Sequence, residues 1–246
     1  MQPLSAIPGI KVRDLSLKFG EQIIFDQLNI DITGGEFVAL LGASGAGKSS
    51  LLRIIAGLAP PTSGSVTGSD NQPLPGRIAW MGQKDLLYPW LSVIDNVALG
   101  ARLRGEKVDR DWARHLLARV GLSREEKSLP ATLSGGMRQR AALARTLYER
   151  QPIVLMDEPF SALDAITRTQ IQTLAAELLA QHTVLLITHD PAEACRLSHR
   201  LLVLSPYPFG IDDSHSIAGL PPRAPDDIDS MRSQAELLQQ LIKAAG

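Results

Sequence analysis

The residue types best suited to hold a polyphosphate lie in one octapeptide, Gly42-Ala43-Ser44-Gly45-Ala46-Gly47-Lys48-Ser49. It fits the pattern G-x-x-x-x-G-K-[ST], whose glycines let the backbone fold into a nest of N–H groups aimed at phosphate oxygens. In that arrangement Gly42, Ser44, Gly45, Ala46 and Gly47 line the nest. Lys48 reaches the β and γ phosphates, and the Ser49 hydroxyl takes one position on Mg2+. Ser50 continues into a helix whose positive dipole end adds to the attraction for anions.

A second constellation is Asp157-Glu158, two adjacent carboxylates that follow the apolar run Ile153-Val154-Leu155-Met156. Carboxylates at the end of a buried strand are costly unless they serve a cation or a reaction. Asp157 is therefore assigned to Mg2+ through water, and Glu158 to polarising a water that attacks the γ phosphate. His189 follows another β-rich run, 183–188, and could donate to the γ phosphate and hold that water in line. A third group, Ser134, Gly135 and Gly136, opens a helix and makes a second anion site, too small to hold a nucleotide by itself.

The surrounding elements must position these groups. Phe37-Val38-Ala39-Leu40-Leu41 reads as the strand before the phosphate loop, and 50–56 as the helix after it, capped by Gly57 and stopped by Pro60-Pro61. Short strands at 10–19, 22–25 and 29–32 suggest a small antiparallel sheet against the nucleotide core. Thr62-Ser63-Gly64-Ser65 reads as a turn. Phe19, at the end of the first strand, could stack on a purine for about 1–3 kcal/mol. From Ser92 to Arg150 no strand pattern interrupts a charge-rich helical stretch, read as a lobe inserted into the core. Pro206, Pro208 and Gly210 end the last strand, 200–204. Pro221-Pro222-Arg223-Ala224-Pro225 reads as a stiff linker to a terminal helix, where Ile228, Met231, Ala235, Leu238 and Ile242 form a stripe expected to dock on its own domain.

Composition bounds the answer without choosing it. The chain has 246 residues, 44% hydrophobic and 21% charged, with 25 basic against 26 acidic side chains, so no nucleic-acid footprint is expected. One cysteine, Cys195, rules out an internal disulfide and suits a reducing compartment. No apolar run approaches the roughly 20 residues needed to span a bilayer.

Taken together, these residues resemble the nucleotide-binding subunit of an ABC transporter over about residues 10–205. Phe19 matches the adenine-stacking aromatic, Gly42 to Ser49 Walker A, and Gln83 the Q-loop. Leu133 to Met137 match the family signature, with Met137 where glutamine is usual. Ile153 to Glu158 match Walker B, Ser161 to Asp164 the D-loop, and His189 the switch histidine.

The resemblance implies an α/β fold, a P-loop NTPase (RecA-like) core with a small N-terminal antiparallel β subdomain and an inserted α-helical subdomain at about 86–150. The ATPase domain would cover 8–220, followed by a C-terminal linker and amphipathic helix at 221–246. It also implies ATP and Mg2+ as ligands, Glu158, His189 and Gln83 as catalytic residues, and Ser49, Gln83 and Asp157 around the metal. Asp164 would join Ser134, Gly135 and Gly136 among the nucleotide contacts. Two copies are expected to pair head to tail, so that Walker A of one and Ser134 to Gly136 of the other close on one ATP. The exposed-looking stretch with Leu86, Tyr88 and Trp90 would receive a transmembrane permease subunit, at the cytoplasmic face of the inner membrane, with a periplasmic solute-binding protein as an indirect partner. Leu87-Tyr88-Pro89-Trp90-Leu91-Ser92-Val93 and Gly136-Met137-Arg138-Gln139-Arg140 resemble importers of the nitrate, sulfonate, taurine and thiamine-precursor group. Ala79-Trp80-Met81-Gly82-Gln83-Lys84 tilts the comparison toward the thiamine precursor hydroxymethylpyrimidine.

Three alternatives fit the sequence less well. A soluble ABC-type ATPase acting on ribosomes or DNA usually carries two cassettes or a long coiled-coil insertion, and neither is visible. A P-loop GTPase would need N-K-x-D, which is absent. A nucleotide-gated scaffold without turnover is disfavoured by Glu158 and His189.

Overall fold

Alternate residues of the central strands face different partners, and that period of two decides what packs where. The computed structural model describes residues 7–43, 45–206 and 209–245. A six-stranded sheet contains β3 (Phe37–Gly42), β5 (Ile78–Met81), β6 (Ile153–Asp157), β7 (Thr183–Ile187), β8 (Arg200–Pro206) and β9 (Phe209–Ser216), in the order β5-β6-β7-β3-β8-β9. All pairings are parallel except that of β8 with β9. Every residue of β6 and β7 is buried, as expected for continuous apolar strands covered on both faces.

One face of this sheet carries Val38, Leu40, Ile153, Leu155, Leu185 and Ile187 into a core shared with α1 (Lys48–Ile55) and a three-stranded antiparallel sheet. That sheet has the order β2-β1-β4, from β1 (Ile10–Phe19), β2 (Gln22–Ile32) and β4 (Ser63–Gly68). The opposite face sends Val154, Met156, Val184 and Leu186 into a core with the helices between β5 and β6. These are α2 (Val93–Val97), α3 (Leu99–Leu103), α4 (Arg110–Arg119) and α5 (Gly135–Tyr148); α6 (Ala165–Leu178) packs on the same core. Ser92, Asp109, Ser134 and Asp164 cap α2, α4, α5 and α6 through side-chain oxygens that accept from backbone N–H groups.

Four local expectations change. Residues 22–32 form one strand with irregular pairing rather than two, since Gln27 takes a positive φ of 50° and absorbs the shift. Residues 63–68 form β4 rather than a turn, because the backbone of this small, polar segment pairs along β1. The chain also turns back after β8 to add β9. That strand is polar in sequence because it lies at a sheet edge, so it carries no apolar alternation.

The fourth change concerns the C-terminus. Residues 221–225 are no free spacer, because Arg223 is 4% exposed and donates to the carbonyls of Ala218, Cys195, Ser198, Ile217 and Gly219. With that segment seated, α8 (Ile228–Ala245) packs on α7 (Pro191–Leu197) and β8 through Leu237 and Leu241. The expected stripe points elsewhere: Ile228, Met231, Ala235 and Leu238 are exposed. The side chain of Ile242 lies outside the described residues. The true docking positions, 237 and 241, sit about 100° round the helix from the expected ones.

Candidate active site

Sheet register brings the chemistry-bearing residues to one edge. Leu40 of β3 pairs with Ile187 of β7, and Ile187 pairs in turn with Asp157 of β6. The loop after Gly42, the Asp157-Glu158 pair and His189 therefore emerge side by side at the carboxyl ends of three adjacent parallel strands. Open α/β sheets bind their ligands there.

In the phosphate loop, Gly47 occupies the N-cap of α1 at φ 92° and offers no side chain to the first-turn N–H groups, which stay available to an anion. A Cβ at Gly47 would lie 2.4 Å from Ile24 Cγ2 and 3.2 Å from Phe25 Cδ1, so the β2 strand leaves room only for glycine. The same contact lays the β1–β2 hairpin against the loop. Phe19, at the tip of that hairpin, is 62% exposed and free to stack. Gly45 turns at a positive φ of 81°, and Ala46 is buried beneath the loop with its N–H on the Ala43 carbonyl. Ser44 lies outside the described residues. Lys48 Nζ donates to the carbonyls of Gly42 (2.9 Å) and Ala43 (2.8 Å). Burial lowers the Lys48 pKa, opposed by the negative charges of Glu158 and Asp157. Ser50 is half-buried in α1.

Glu158 is gripped from two sides. Gln83 Nε2 donates to its Oε2 at 3.0 Å, and His189 Nδ1 lies 3.2 Å from its Oε1. Its backbone has φ 48°, a strained setting for a residue with a side chain, held by its N–H on the Ile187 carbonyl at 2.9 Å. The three residues expected to act in catalysis thus share one hydrogen-bonding group.

Ser49, Gln83 and Asp157 line a common cavity of about 410 Å³ with Arg53, Trp80 and Gly82. Burial raises the Asp157 pKa, while the Ser49 hydroxyl bonded to it pulls the other way. A hydroxyl, an amide oxygen and a carboxylate form a hard oxygen donor set, which suits Mg2+ with waters completing its shell. A cavity of about 510 Å³ between the end of α1 and β4 carries no comparable chemistry, being lined by Ile54, Gly57, Pro61, Val66 and Pro75.

Ser134, Gly135 and Gly136 stand apart from this cluster. Ser134 caps α5 by accepting from the Met137 N–H at 3.2 Å, and Gly136 lies beside Leu163. Among the described residues no hydrogen bond or cavity named above joins them to the phosphate loop. Asp164 is exposed and caps α6 by accepting from the Thr167 N–H at 3.0 Å.

Several connecting contacts were not readable from the sequence, although Arg138 and Gln139 stand in the stretch 136–140 quoted above. Arg138 binds Asp85 at 3.1 Å, and Arg145 donates to the carbonyls of Leu86 and Asp85, tying α5 to the segment after Gln83. Gln139 Nε2 donates to the Pro159 carbonyl at 2.6 Å, joining α5 to the turn after Glu158. Asn96, fully buried, holds the 86–92 stretch through the Tyr88 N–H and the Tyr88, Leu91 and Ser92 carbonyls. Polar residues inside otherwise apolar helices were the available signal. On that stretch Leu86, Tyr88 and Trp90 are exposed by 61%, 42% and 70%.

The fold and the edge-on cluster define an ATP-binding cassette. Residues 25–161 match the family model described as ABC transporter, and the chain belongs to that family of ATPases. It is 46% identical, over 94% of its length and 98% of the relative's, to an uncharacterized ABC transporter ATP-binding protein of Haemophilus influenzae. It is 42% identical to the aliphatic sulfonates import ATP-binding protein SsuB of Escherichia coli (strain K12), covering 93% of this chain and 89% of that one. Among solved structures, a dimeric ATP-binding cassette in a post-hydrolysis state with ADP and Pi superposes with a TM-score of 0.76 at 31% identity. That match covers 86% of this chain and all of the other.

Proposed function

We propose that this chain is the ATP-hydrolysing subunit of an importer for a small organic anion, with an aliphatic sulfonate favoured as cargo. Relatives in Escherichia coli, Shigella sonnei and Rhodococcus jostii are named aliphatic sulfonates import ATP-binding proteins, which favours that cargo over the thiamine precursor. The observation that carries the catalytic reading is the bridge Gln83–Glu158–His189 beside the phosphate loop. Glu158 takes the proton of the attacking water and His189 holds the γ phosphate and that water in line. Gln83 reports occupancy of the site to the surface that follows it, through Asp85 and Leu86.

Gly42, Gly45, Ala46, Gly47, Lys48, Ser49 and Ser50 hold the phosphates, and Phe19 stacks on the adenine. Ser44 belongs to the same loop. Ser49, Gln83 and Asp157 would hold Mg2+, which supplies charge neutralisation at the β and γ phosphates. A second copy, turned head to tail, brings its Ser134, Gly135 and Gly136 to the same ATP and its Asp164 to the seam. The dimeric solved relative supports that pairing.

A separate permease would carry the cargo, as the import ATP-binding relatives suggest; no helix among the described residues is long and apolar enough to cross a membrane. In this reading Leu86, Tyr88 and Trp90 form its docking surface and the subunit works at the cytoplasmic face of the inner membrane; a periplasmic solute-binding protein acts only through the permease. Residues 8–220 would act as the ATPase unit, with the helical part at about 86–150 moving on the Gln83 segment.

Glu158→Gln is the test. The variant is expected to bind Mg-ATP and accumulate as an ATP-bound dimer with turnover reduced at least 100-fold, whereas Lys48→Ala loses nucleotide affinity. Hydrolysis by Glu158→Gln at the wild-type rate would remove Glu158 from this role.

A further inference from the structure

Glu193 has no part in the site as described, yet it is one of the most buried carboxyls in the chain, at 5% exposure. It lies in α7, the short helix that begins two residues after His189. One oxygen, Oε2, accepts from Gln172 Nε2 at 3.1 Å; the other, Oε1, is buried without a protein partner. Such an arrangement is costly for an ionised carboxylate.

Glu193 and the candidate catalytic group border one cavity of about 90 Å³. Glu158, Ser161, Thr188, His189, Asp190 and Glu193 line it, together with Arg168. A water needs only about 10–15 Å³ and two to four polar partners, so this mainly polar cavity has room for several. On its far side Glu193 also borders a cavity of about 210 Å³ that opens beneath α8. Arg168, Asp190 and Glu193 form the wall common to both.

We propose that Glu193 is the inner end of a water-filled proton path from Glu158, and that it takes up the proton released when water attacks the γ phosphate. The inference rests on Glu158 acting as the base, as proposed above. A lone pair of the water oxygen forms the new P–O bond. The bond from the γ phosphorus to the bridging oxygen breaks with its electrons going to ADP. The water proton passes to the Glu158 carboxylate and then, by exchange along the waters of the passage, to Glu193. Glu193 later returns it to solvent through the cavity beneath α8.

The charge environment suits this role. Burial pushes the Glu193 carboxyl up to about 7, the Asp190 charge adds to the rise, and the Thr188 hydroxyl, the Gln172 amide and the Arg168 guanidinium oppose it. The other titratable groups around the passage are Glu158 and His189, and Arg196 is engaged with Gln172 Oε1 and Thr169. From α8 only the non-titrating Ser230, Met231 and Gln234 face the wall. A carboxyl poised in this way can accept a proton above neutrality and holds one already below it.

The experiment is the pH dependence of kcat for the full-length chain at saturating Mg-ATP, compared with Glu193→Gln. The wild-type rate is expected to rise as pH increases through about 7. In Glu193→Gln that limb disappears and the rate is lower by about tenfold above neutrality, with ATP affinity unchanged. A Glu193→Gln profile with the wild-type pH dependence, whatever its height, overturns the proposal. Should Glu193→Gln fail to bind ATP, Glu193→Asp decides: a limb displaced along the pH axis supports the path and an unmoved limb refutes it. Glu158→Gln separates the two readings. An inactive Glu158→Gln beside an unmoved Glu193→Gln limb rejects the path alone, and an active Glu158→Gln rejects the base on which it rests.

Discussion

Removing the Arg223 guanidinium should release the whole C-terminal segment. Its Nε and two Nη atoms donate to five carbonyls at 2.7–2.9 Å, and two of these, Cys195 and Ser198, stand at the carboxyl end of α7. There the partial negative charge of the helix end adds to the attraction. The backbone of Arg223 is tied as well, its N–H donating to Arg196 O and its carbonyl accepting from Arg196 Nε. Charge-assisted bonds are each worth about 1.5–3 kcal/mol, but five of them in Arg223→Ala would not add up, because the carbonyls regain water once the segment lifts. A loss of about 4 kcal/mol is the working value, comparable with breaking a buried charged contact. At about 2–4 °C per kcal/mol for a chain of this size, the melting midpoint should fall by ~8–16 °C. Differential scanning fluorimetry measures that shift. Limited trypsin digestion locates it, because Arg232 in α8 should become a cleavage site. Arg223→Lys keeps the charge without the planar fork and should fall between the two. An Arg223→Ala protein that melts within ~2 °C of wild type, with α8 still resistant to trypsin, would refute the reasoning.

Two further outcomes follow from buried polar groups. The Glu193 pKa is raised in the folded state from 4.5 to about 7, so its contribution to stability is fully present below about 4.5 and is lost as pH rises through 7. The loss is ~3 kcal/mol, and Glu193→Gln should therefore gain melting temperature over wild type at pH 8 but not near pH 5; a gap that does not change with pH contradicts this. Asn96→Ala leaves the Tyr88 N–H and the Leu91 carbonyl unpaired, while Tyr88 O keeps the Leu91 N–H and Ser92 O keeps the backbone N–H of residue 96, and should cost ~1–3 kcal/mol. It should also weaken capture by the permease while leaving ATP affinity intact, and unaltered capture would show that the Tyr88 and Trp90 stretch keeps its shape without this amide.

Local chemistry was legible wherever backbone and side-chain rules act within a few residues. The strand, glycine loop and helix around Gly42 to Ser49 follow from an apolar run, residues tolerant of positive φ, and a helical pattern. The buried strands 153–157 and 183–187 follow from uninterrupted apolar composition, and Ser92, Asp109 and Ser134 stand as caps at the starts of their helices. The placement of Glu158 and His189 at one sheet edge was readable for the same reason, since both directly follow parallel strands.

Tertiary structure alone decided what depends on distant partners. Strand β4 looks like a turn because its pairing energy comes from the β1 backbone, and β9 looks like a loop because an edge strand needs no apolar face. Rotation of α8 was not readable, because Leu237 rather than the more regular stripe meets the surface that Arg223 prepares. The links from α5 to Asp85, Leu86 and Pro159, and the passage from Glu158 to Glu193, join residues 20 to 60 positions apart. Sequence periodicity reports which face of an element is apolar; what that face meets is set by chain closure in three dimensions.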